Sequence, residues 1–371
     1  MAKRSFDYSL LIITIILVLF GIVMVFSASF YYAEHSANTG YNGYYYFWKQ
    51  VSGAGLGIVA MVTLMLFDYN KLKKLRFWIL GAGLLLMVLV FVPGIGIKVN
   101  GSSRWVNLYI LDLQSVEVLK FAIIVFMAGG ISNSAEKMHT FRYGMLPYLV
   151  LLAISGLLLY LQPNFSAVVT LALMMFVMML VGGANLFHFG AIGLGGLGVG
   201  ALAMVATEDA GYRVDRILAF LDPWAYSSDQ SYQLVQSLYS IGSGGLFGLG
   251  LGNSRQKFLF LPYSESDCIF AIVVEELGFV GGILLIAVFA IFIWRGVRIA
   301  LRAPNTFGMM LATGITAVIA IQVFINIGVV TGCVPPTGVA LPFISAGRTQ
   351  LIMFMASVGV LLNISRQSRA A

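Results

Sequence analysis

Charge is what this chain has least of: Asp, Glu, Lys and Arg make up 10% of its 371 residues, against 60% hydrophobic residues and a mean hydropathy of +0.93. A soluble domain carries about 25% charged residues to face water, so an ordinary soluble enzyme is excluded. Cysteine is nearly absent. Cys268 and Cys333 form neither a CxxC nor a metal-ligand spacing and can make one disulfide at most. His35, His139 and His188 stand alone, with no zinc or catalytic-triad spacing around them. The 22 basic residues outnumber the 15 acidic ones. In so apolar a chain that excess reports membrane orientation and anionic lipid, and nucleic acid is not an expected partner.

What the chain does have is apolar runs. Ten read as membrane helices: 8–28, 51–66, 77–91, 115–131, 145–161, 167–182, 187–206, 267–294, 309–330 and 342–364. Runs near twenty residues cross a hydrocarbon core of about 30 Å. The expected fold is therefore all-α, a polytopic membrane protein of about ten transmembrane helices forming a single domain over residues 1–371. The first run reads as a retained helix, not a cleaved signal, because Ser27-Ala-Ser29 leads straight into more membrane protein.

With both termini in the cytoplasm, the inner segments carry Lys3, Arg4, Lys71, Lys73, Lys74, Arg76, Lys137, Arg142, Arg295, Arg298, Arg302, Arg366 and Arg369. That concentration in short loops obeys the positive-inside bias. Lys49, Lys98, Arg104, Arg213, Arg216, Arg255, Lys257 and Arg348 fall on the opposite face, against the bias. The long outer loop 207–266, between spans seven and eight, mixes aromatics, glycine and charge around a helix-like stretch at 232–241. Long loops of that kind carry function more often than not, and this one is expected to hold part of the active site.

Three constellations stand out. Gln114, Glu117 and Lys120 share one stripe of the fourth span, where ionisable residues are costly and face protein; they either lock the bundle as a structural pair or shape a substrate cavity. Arg213 and Arg216, in Tyr212-Arg-Val-Asp-Arg216, together with Arg255 and Lys257, offer four cations beside the membrane. Such a set suits a lipid diphosphate, though headgroup contact would explain it too. Asp267 opens the eighth span behind Leu261-Pro-Tyr-Ser-Glu-Ser266. It is either a helix cap paired with Ser264 or a general base whose pKa is raised by partial desolvation. Glu275 lies about 12 Å deeper, at 1.5 Å per residue, and reads as a buried structural group. Gly193-Leu-Gly-Gly-Leu-Gly198 satisfies a dinucleotide pattern but sits inside an apolar span, where close helix packing explains it.

Ordered along the chain are Val25-Phe-Ser-Ala-Ser29, Ser103-Arg-Trp105, Gln114-x-x-Glu-x-x-Lys120, Leu161-Gln-Pro163, Tyr212-Arg-Val-Asp-Arg216, Leu221-Asp-Pro223, Ile241-Gly-Ser-Gly-Gly-Leu246, Gly252-Asn-Ser-Arg-Gln-Lys257, Glu275-Glu276 and Leu341-Pro-Phe-Ile-Ser345. Together they resemble the SEDS family (shape, elongation, division and sporulation), and are closer to its FtsW and SpoVE branch than to RodA. The resemblance implies a peptidoglycan glycan-strand polymerase using lipid II at the outer face of the bacterial cytoplasmic membrane, in division or sporulation. It implies that Asp267 is the catalytic residue, that the long loop is catalytic, and that Glu117 and Lys120 are sensitive positions. A class B penicillin-binding protein with one membrane helix is the implied partner.

The general base would take a proton from the acceptor 4-hydroxyl while polyprenyl diphosphate leaves, its charge met by Arg213, Arg216, Arg255, Lys257 and Arg104 or by a divalent metal ion. A lipid II transporter and a non-catalytic scaffold for a transpeptidase are the competing classes. The chain also departs from the family pattern. Pro262-Tyr-Ser-Glu-Ser-Asp267 replaces Pro-Glu-Pro-His-Thr-Asp, Gln114-Ser-Val-Glu117 replaces Gln-Pro-Ser-Glu, Gln162-Pro-Asn164 replaces Gln-Pro-Asp, and Ser345-Ala-Gly-Arg-Thr349 replaces Ser-Tyr-Gly-Gly-Ser. Such changes fit a specialised paralogue with altered partner dependence or activity.

Overall fold

The computed structural model describes residues 6–99, 102–107, 112–190, 193, 220–226 and 231–368. Its helices are α1 (Tyr8–His35), α2 (Tyr45–Leu66), α3 (Asn70–Leu89), α4 (Ser115–Asn133), α5 (Leu146–Tyr160), α6 (Phe165–Val181), α7 (Tyr232–Ser243), α8 (Ile269–Leu301), α9 (Thr306–Val330) and α10 (Arg348–Gln367). Nine of the ten apolar runs fall on helices, while the run 187–206, the glycine-rich stretch after Gly193, and Arg213 and Arg216 lie wholly or mostly outside the described residues. Among the described residues, seven helices are long and apolar enough to cross a membrane. The short helix expected near 232–241 is α7, packed by Leu234 and Val235.

The bundle is layered by burial. Helices α4, α9 and α10 bury 72%, 72% and 78% of their apolar windows, whereas α2 and α8 bury 28% each. Three inner helices are thus wrapped by outer ones whose Leu, Ile, Val and Phe side chains remain exposed, as a hydrocarbon solvent permits. Close approach depends on small residues at the crossings: a Cβ on Gly359 of α10 would run into the backbone of Met61 on α2.

One end of the bundle is closed by polar ties. Asp7 caps α1 by accepting from Leu10 N at 3.0 Å, and its carboxylate also pairs with Arg295 near the end of α8 at 2.6 Å. Asn363 of α10 accepts from Tyr69 N at 3.1 Å and donates to Met65 O at 2.7 Å, fixing the α2–α3 corner. These ties satisfy polar groups that lipid cannot.

The opposite end carries the irregular structure. A three-stranded antiparallel sheet, β1 (Gly96–Val99), β2 (Ser102–Asn107) and β3 (Asp112–Gln114), pairs Ile97 with Trp105 and Trp105 with Gln114. The chain is mostly helical, as expected, with one small sheet in addition. Asn100-Gly101 between two strand-like segments is the hairpin signal in the sequence.

Helix α8 is broken at Gly278, whose φ of 74° no ordinary residue adopts cheaply. The break frees backbone groups that the segment 244–250 then satisfies. Glu275 O and Glu276 O accept from Leu249 N and Gly250 N at 3.0 and 2.9 Å, and Gly245 O and Leu246 O accept from Phe279 N and Val280 N at 2.9 and 3.1 Å. A Cβ at residue 278 would collide with the backbone of Leu246 and Gly248. Gly278→Ala is therefore expected to lose more than ~2 kcal/mol of stability through strain and displacement of this segment. A melting temperature in detergent equal to that of the unmodified protein would refute the account.

Candidate functional site

A cavity of about 620 Å³ opens at the irregular end. Four helices begin around it: Gln114, Asn164 and Gly347, which precede α4, α6 and α10, line its wall, and Asp267 does so two residues before α8. The positive ends of four helix dipoles therefore lie around one space, an arrangement that favours an anion. Its charged lining consists of Lys49, Arg104, Lys120 and Arg348 against Asp112, Glu117, Glu265 and Asp267.

Asp267 is held by its backbone. Asn326 of α9 donates through Nδ2 to Asp267 O and to Val339 O, both at 2.8 Å. Ser345 Oγ donates to Ser266 O at 2.6 Å while accepting from Leu341 N at 2.8 Å, and Ala346 N donates to Glu265 O at 2.9 Å. The Leu341-Pro-Phe-Ile-Ser345 segment is thus a clamp on the backbone of 265–267, and Asp267 lines the cavity. Capping is excluded, because Cys268 is the residue that precedes α8 and no side chain caps that helix. Surrounding protein raises the Asp267 pKa to about 6, opposed by the Arg104 charge and a hydrogen bond from Ser266. Glu265, which the sequence reading passed over as a site residue, is buried beside it and is also raised by desolvation.

Arg104 sits on β2, where its guanidinium donates to the carbonyls of Gln162 and Pro163. The Leu161-Gln-Pro163 motif therefore positions this cation, and Gln162 is itself anchored through Nε2 to Met87 O at 3.1 Å. Desolvation lowers the Arg104 pKa and the Asp267 charge opposes that shift, so the two groups act on each other across the cavity. Glu117 and Lys120 form an ion pair at 2.8 Å, each 7% exposed, and both line the cavity. The stripe is thus an ion pair in the wall of the cavity.

Two of the expected cations are not in the site. Lys257 is buried and paired with Glu276 at 3.0 Å, with Ser27 Oγ accepting from the same ammonium at 3.2 Å. Arg255 is exposed and does not line the cavity; what the structure uses is its backbone N–H, which donates to Glu275 at 2.8 Å. Glu275 also accepts from Ser240 and Ser254 hydroxyls at 2.8 and 2.6 Å, which makes it the buried structural group its depth suggested. The reason for the misplacement is the break in α8, which brings 254–257 down onto Glu275 and Glu276 instead of out towards substrate. The missed cations are Lys49, whose ammonium donates to Tyr45 OH at 3.3 Å, and Arg348. Both stand among the outer-face cations in the sequence, and Arg348 is also a departure from the family's glycine.

A polytopic helical membrane protein with an ionisable cavity at one end of its bundle is the class that this fold and site define. The model of the FtsW/RodA/SpoVE family, described as cell cycle protein, matches residues 8–370. Stage V sporulation protein E of Bacillus subtilis (strain 168) is 41% identical over 367 residues, covering 99% of both chains. A protein named probable peptidoglycan glycosyltransferase FtsW, from Geobacter sp. (strain M18), is 37% identical over 368 residues, again with 99% of both chains covered. Among solved structures, a chain from work titled structural coordination of polymerization and crosslinking by a peptidoglycan synthase complex aligns with a TM-score of 0.80 at 25% identity, covering 98% of each chain. The rod shape determining protein RodA of Thermus thermophilus aligns with a TM-score of 0.71 at 25% identity over 99% of each. The chain belongs to the FtsW/RodA/SpoVE family.

The relocation of Lys257 generates a prediction. Lys257→Met leaves Glu276 charged and unpaired in the bundle, an effect of ~3–5 kcal/mol on stability, and adding Glu276→Met restores most of it. Thermal melts of the purified single and double variants check this; a single variant as stable as the parent would show that the pair is not structural.

Proposed function

We propose that this protein is a peptidoglycan glycosyltransferase that polymerises lipid II, with Asp267 as its general base. The observation that carries the reading is the placement of one clamped carboxylate, its pKa raised to about 6, on the wall of a cavity into which four helix starts open. A base with that pKa is mostly ionised at neutral pH yet basic enough to accept a proton. The names of the relatives supply the substrate class.

In the reaction, Asp267 removes the proton from the acceptor sugar's 4-hydroxyl as that oxygen bonds to the donor's anomeric carbon. The bond from that carbon to the polyprenyl diphosphate breaks, and the departing electron pair stays on the diphosphate. Arg104, oriented by Gln162 and Pro163, meets the developing charge together with the helix starts, the kind of fixed electrostatic support that dominates transferase catalysis. Among the described residues no three His, Cys, Asp or Glu side chains are gathered to hold a metal ion, and no step is routed through one.

Glu117 and Lys120 shape the floor of the cavity as a neutral pair. The long loop, residues 207–266, delivers its last residues to the site. The excess of Lys and Arg at the closed end supports placing that end and both termini in the cytoplasm, and the cavity at the outer face of the cytoplasmic membrane. The polyprenyl chain then stays in the bilayer while the sugars react outside. A class B penicillin-binding protein docked on the bundle fits the synthase complex that the fold resembles.

Purified protein given lipid II, alone and with such a partner, tests the reading. Polymer is expected from the unmodified chain and none from Asp267→Asn, and lipid II crossing a liposome bilayer without polymer would replace the reading with transport. Because the Asp267 pKa is raised, the base form exists above about pH 6 and is lost below it. Initial rates are therefore expected to fall as pH drops through 6. The same shift means that ionised Asp267 opposes folding above that pH, so Asp267→Asn is expected to melt at or above the parent's temperature at pH 7. A rate that is flat between pH 5 and 7 would sink the assignment of the base.

A further inference from the structure

Of the four cations in the cavity, three have partners among the described residues. Lys120 is paired with Glu117, Arg104 donates to two carbonyls, and Lys49 lies against Tyr45, 5.2 Å from the ring centroid. Among the described residues Arg348 forms no ion pair within 4.0 Å, and its Nε is buried without a hydrogen-bond partner. An unanswered guanidinium at the mouth of a membrane bundle is costly. Every neighbour in the chain is nevertheless fixed, so the residue does not relax away. Gly347 N donates to Gln50 Oε1 at 3.3 Å, Thr349 Oγ1 accepts from Gln114 N at 3.2 Å and donates to Asp112 O at 3.0 Å, and Gln350 Nε2 donates to Gln322 Oε1 at 3.2 Å. The stem of Arg348 lies against Gly53 of α2, where a Cβ would stand 3.2 Å from its Cγ. The scaffold holds a cation on the cavity wall that no described residue pairs with.

We propose that Arg348 is a substrate-binding residue that takes a diphosphate oxygen of a polyprenyl-linked sugar. A guanidinium fork matches two phosphate oxygens, and the ligand supplies the charge that the protein leaves out. The start of α10, of which Arg348 is the first residue, adds N–H donors directed the same way. The sugar-linked identity of the ligand rests on the glycosyltransferase reading; the diphosphate contact rests on the cavity alone.

The test uses full-length protein in nanodiscs, with polyprenyl diphosphate lacking any sugar as the probe. Arg348→Gln is expected to weaken its Kd roughly 10- to 100-fold, the range for a hydrogen bond to a charged group, and Arg348→Lys by less. Phosphatidylglycerol in the disc is expected not to compete. An unchanged Kd for Arg348→Gln, or equal displacement by phosphatidylglycerol, overturns the proposal. Should Arg348→Gln fail to melt cooperatively, Gly53→Ala keeps the arginine and displaces its stem; a several-fold weaker Kd supports the proposal and an unchanged one overturns it. Diphosphate binding that depends on Arg348 in a protein that forms no polymer, with or without a partner, would end the glycosyltransferase reading and leave this one standing. Polymerisation by Arg348→Gln with an unaltered KM would do the reverse.

Discussion

A charge inside a helix bundle has to be answered by another group, because hydrocarbon will not hydrate it. That constraint organises this protein. Asp7 with Arg295, Glu117 with Lys120 and Glu276 with Lys257 are its ion pairs among the described residues, and Glu275 is answered by two hydroxyls and backbone N–H groups. Each tie joins segments far apart in sequence or stiffens one buried turn. Where the answer is incomplete, at Asp267 and Arg348, the groups share one cavity. In a bundle so sparing of charge, an incomplete pairing marks the place where a ligand belongs.

The second constraint is the backbone itself. Breaking α8 at Gly278 exposes carbonyls and N–H groups at membrane depth, which is tolerated only if other protein fills them. Residues 244–250 do so, and their docking carries 254–257 onto Glu275 and Glu276. The chain then runs to 265–267, clamped from the far side by Asn326 and Ser345. Asp267 is placed chiefly by hydrogen bonds to backbone carbonyls of 265–267, and its carboxylate takes a hydrogen bond from Ser266. Position and reactivity are thereby separated: the neighbours that hold Asp267 are not the ones that set its pKa.

The parts of this arrangement that could be read from sequence are those with a short physical range. Bilayer thickness imposes run length, so nine helices show in hydropathy alone. The stripe of Gln114, Glu117 and Lys120 shows because three and six residues return to one helix face, and Asp267 shows because it stands at the start of a span. Lys257 was misread as a substrate contact because nothing in its spacing reveals that Glu276 lies across a broken helix, 19 residues on. The small sheet was overlooked because its strands are brief and polar beside the spans. Arg348 shows in the sequence as an outer-face cation but not as a cavity residue, since its pocket exists only where α2 and α10 cross and Gly53 leaves room.

The departures from the family pattern acquire a physical relation once they are set in space. Glu265 stands where the family's usual motif has histidine, and Arg348 stands where it has glycine. The two segments that carry them are joined by the hydrogen bond from Ala346 N to Glu265 O, and both side chains line the same cavity. Tyr263 and Asn164, which stand where the pattern has Glu and Asp, line the cavity as well, so one acid and one base are gained, two acids are lost, and the wall carries two more formal positive charges than the pattern with a neutral histidine. Glu265 and Arg348 are not paired with each other, since Arg348 has no ion pair within 4.0 Å among the described residues. Beside Asp267 the gain of Glu265 is offset by Tyr263 in place of an acid, and the added positive charge lies at Asn164 and at the start of α10. Substitutions that had merely lost a motif would not be expected to gather in one space and to keep Thr349 tying α10 to the sheet.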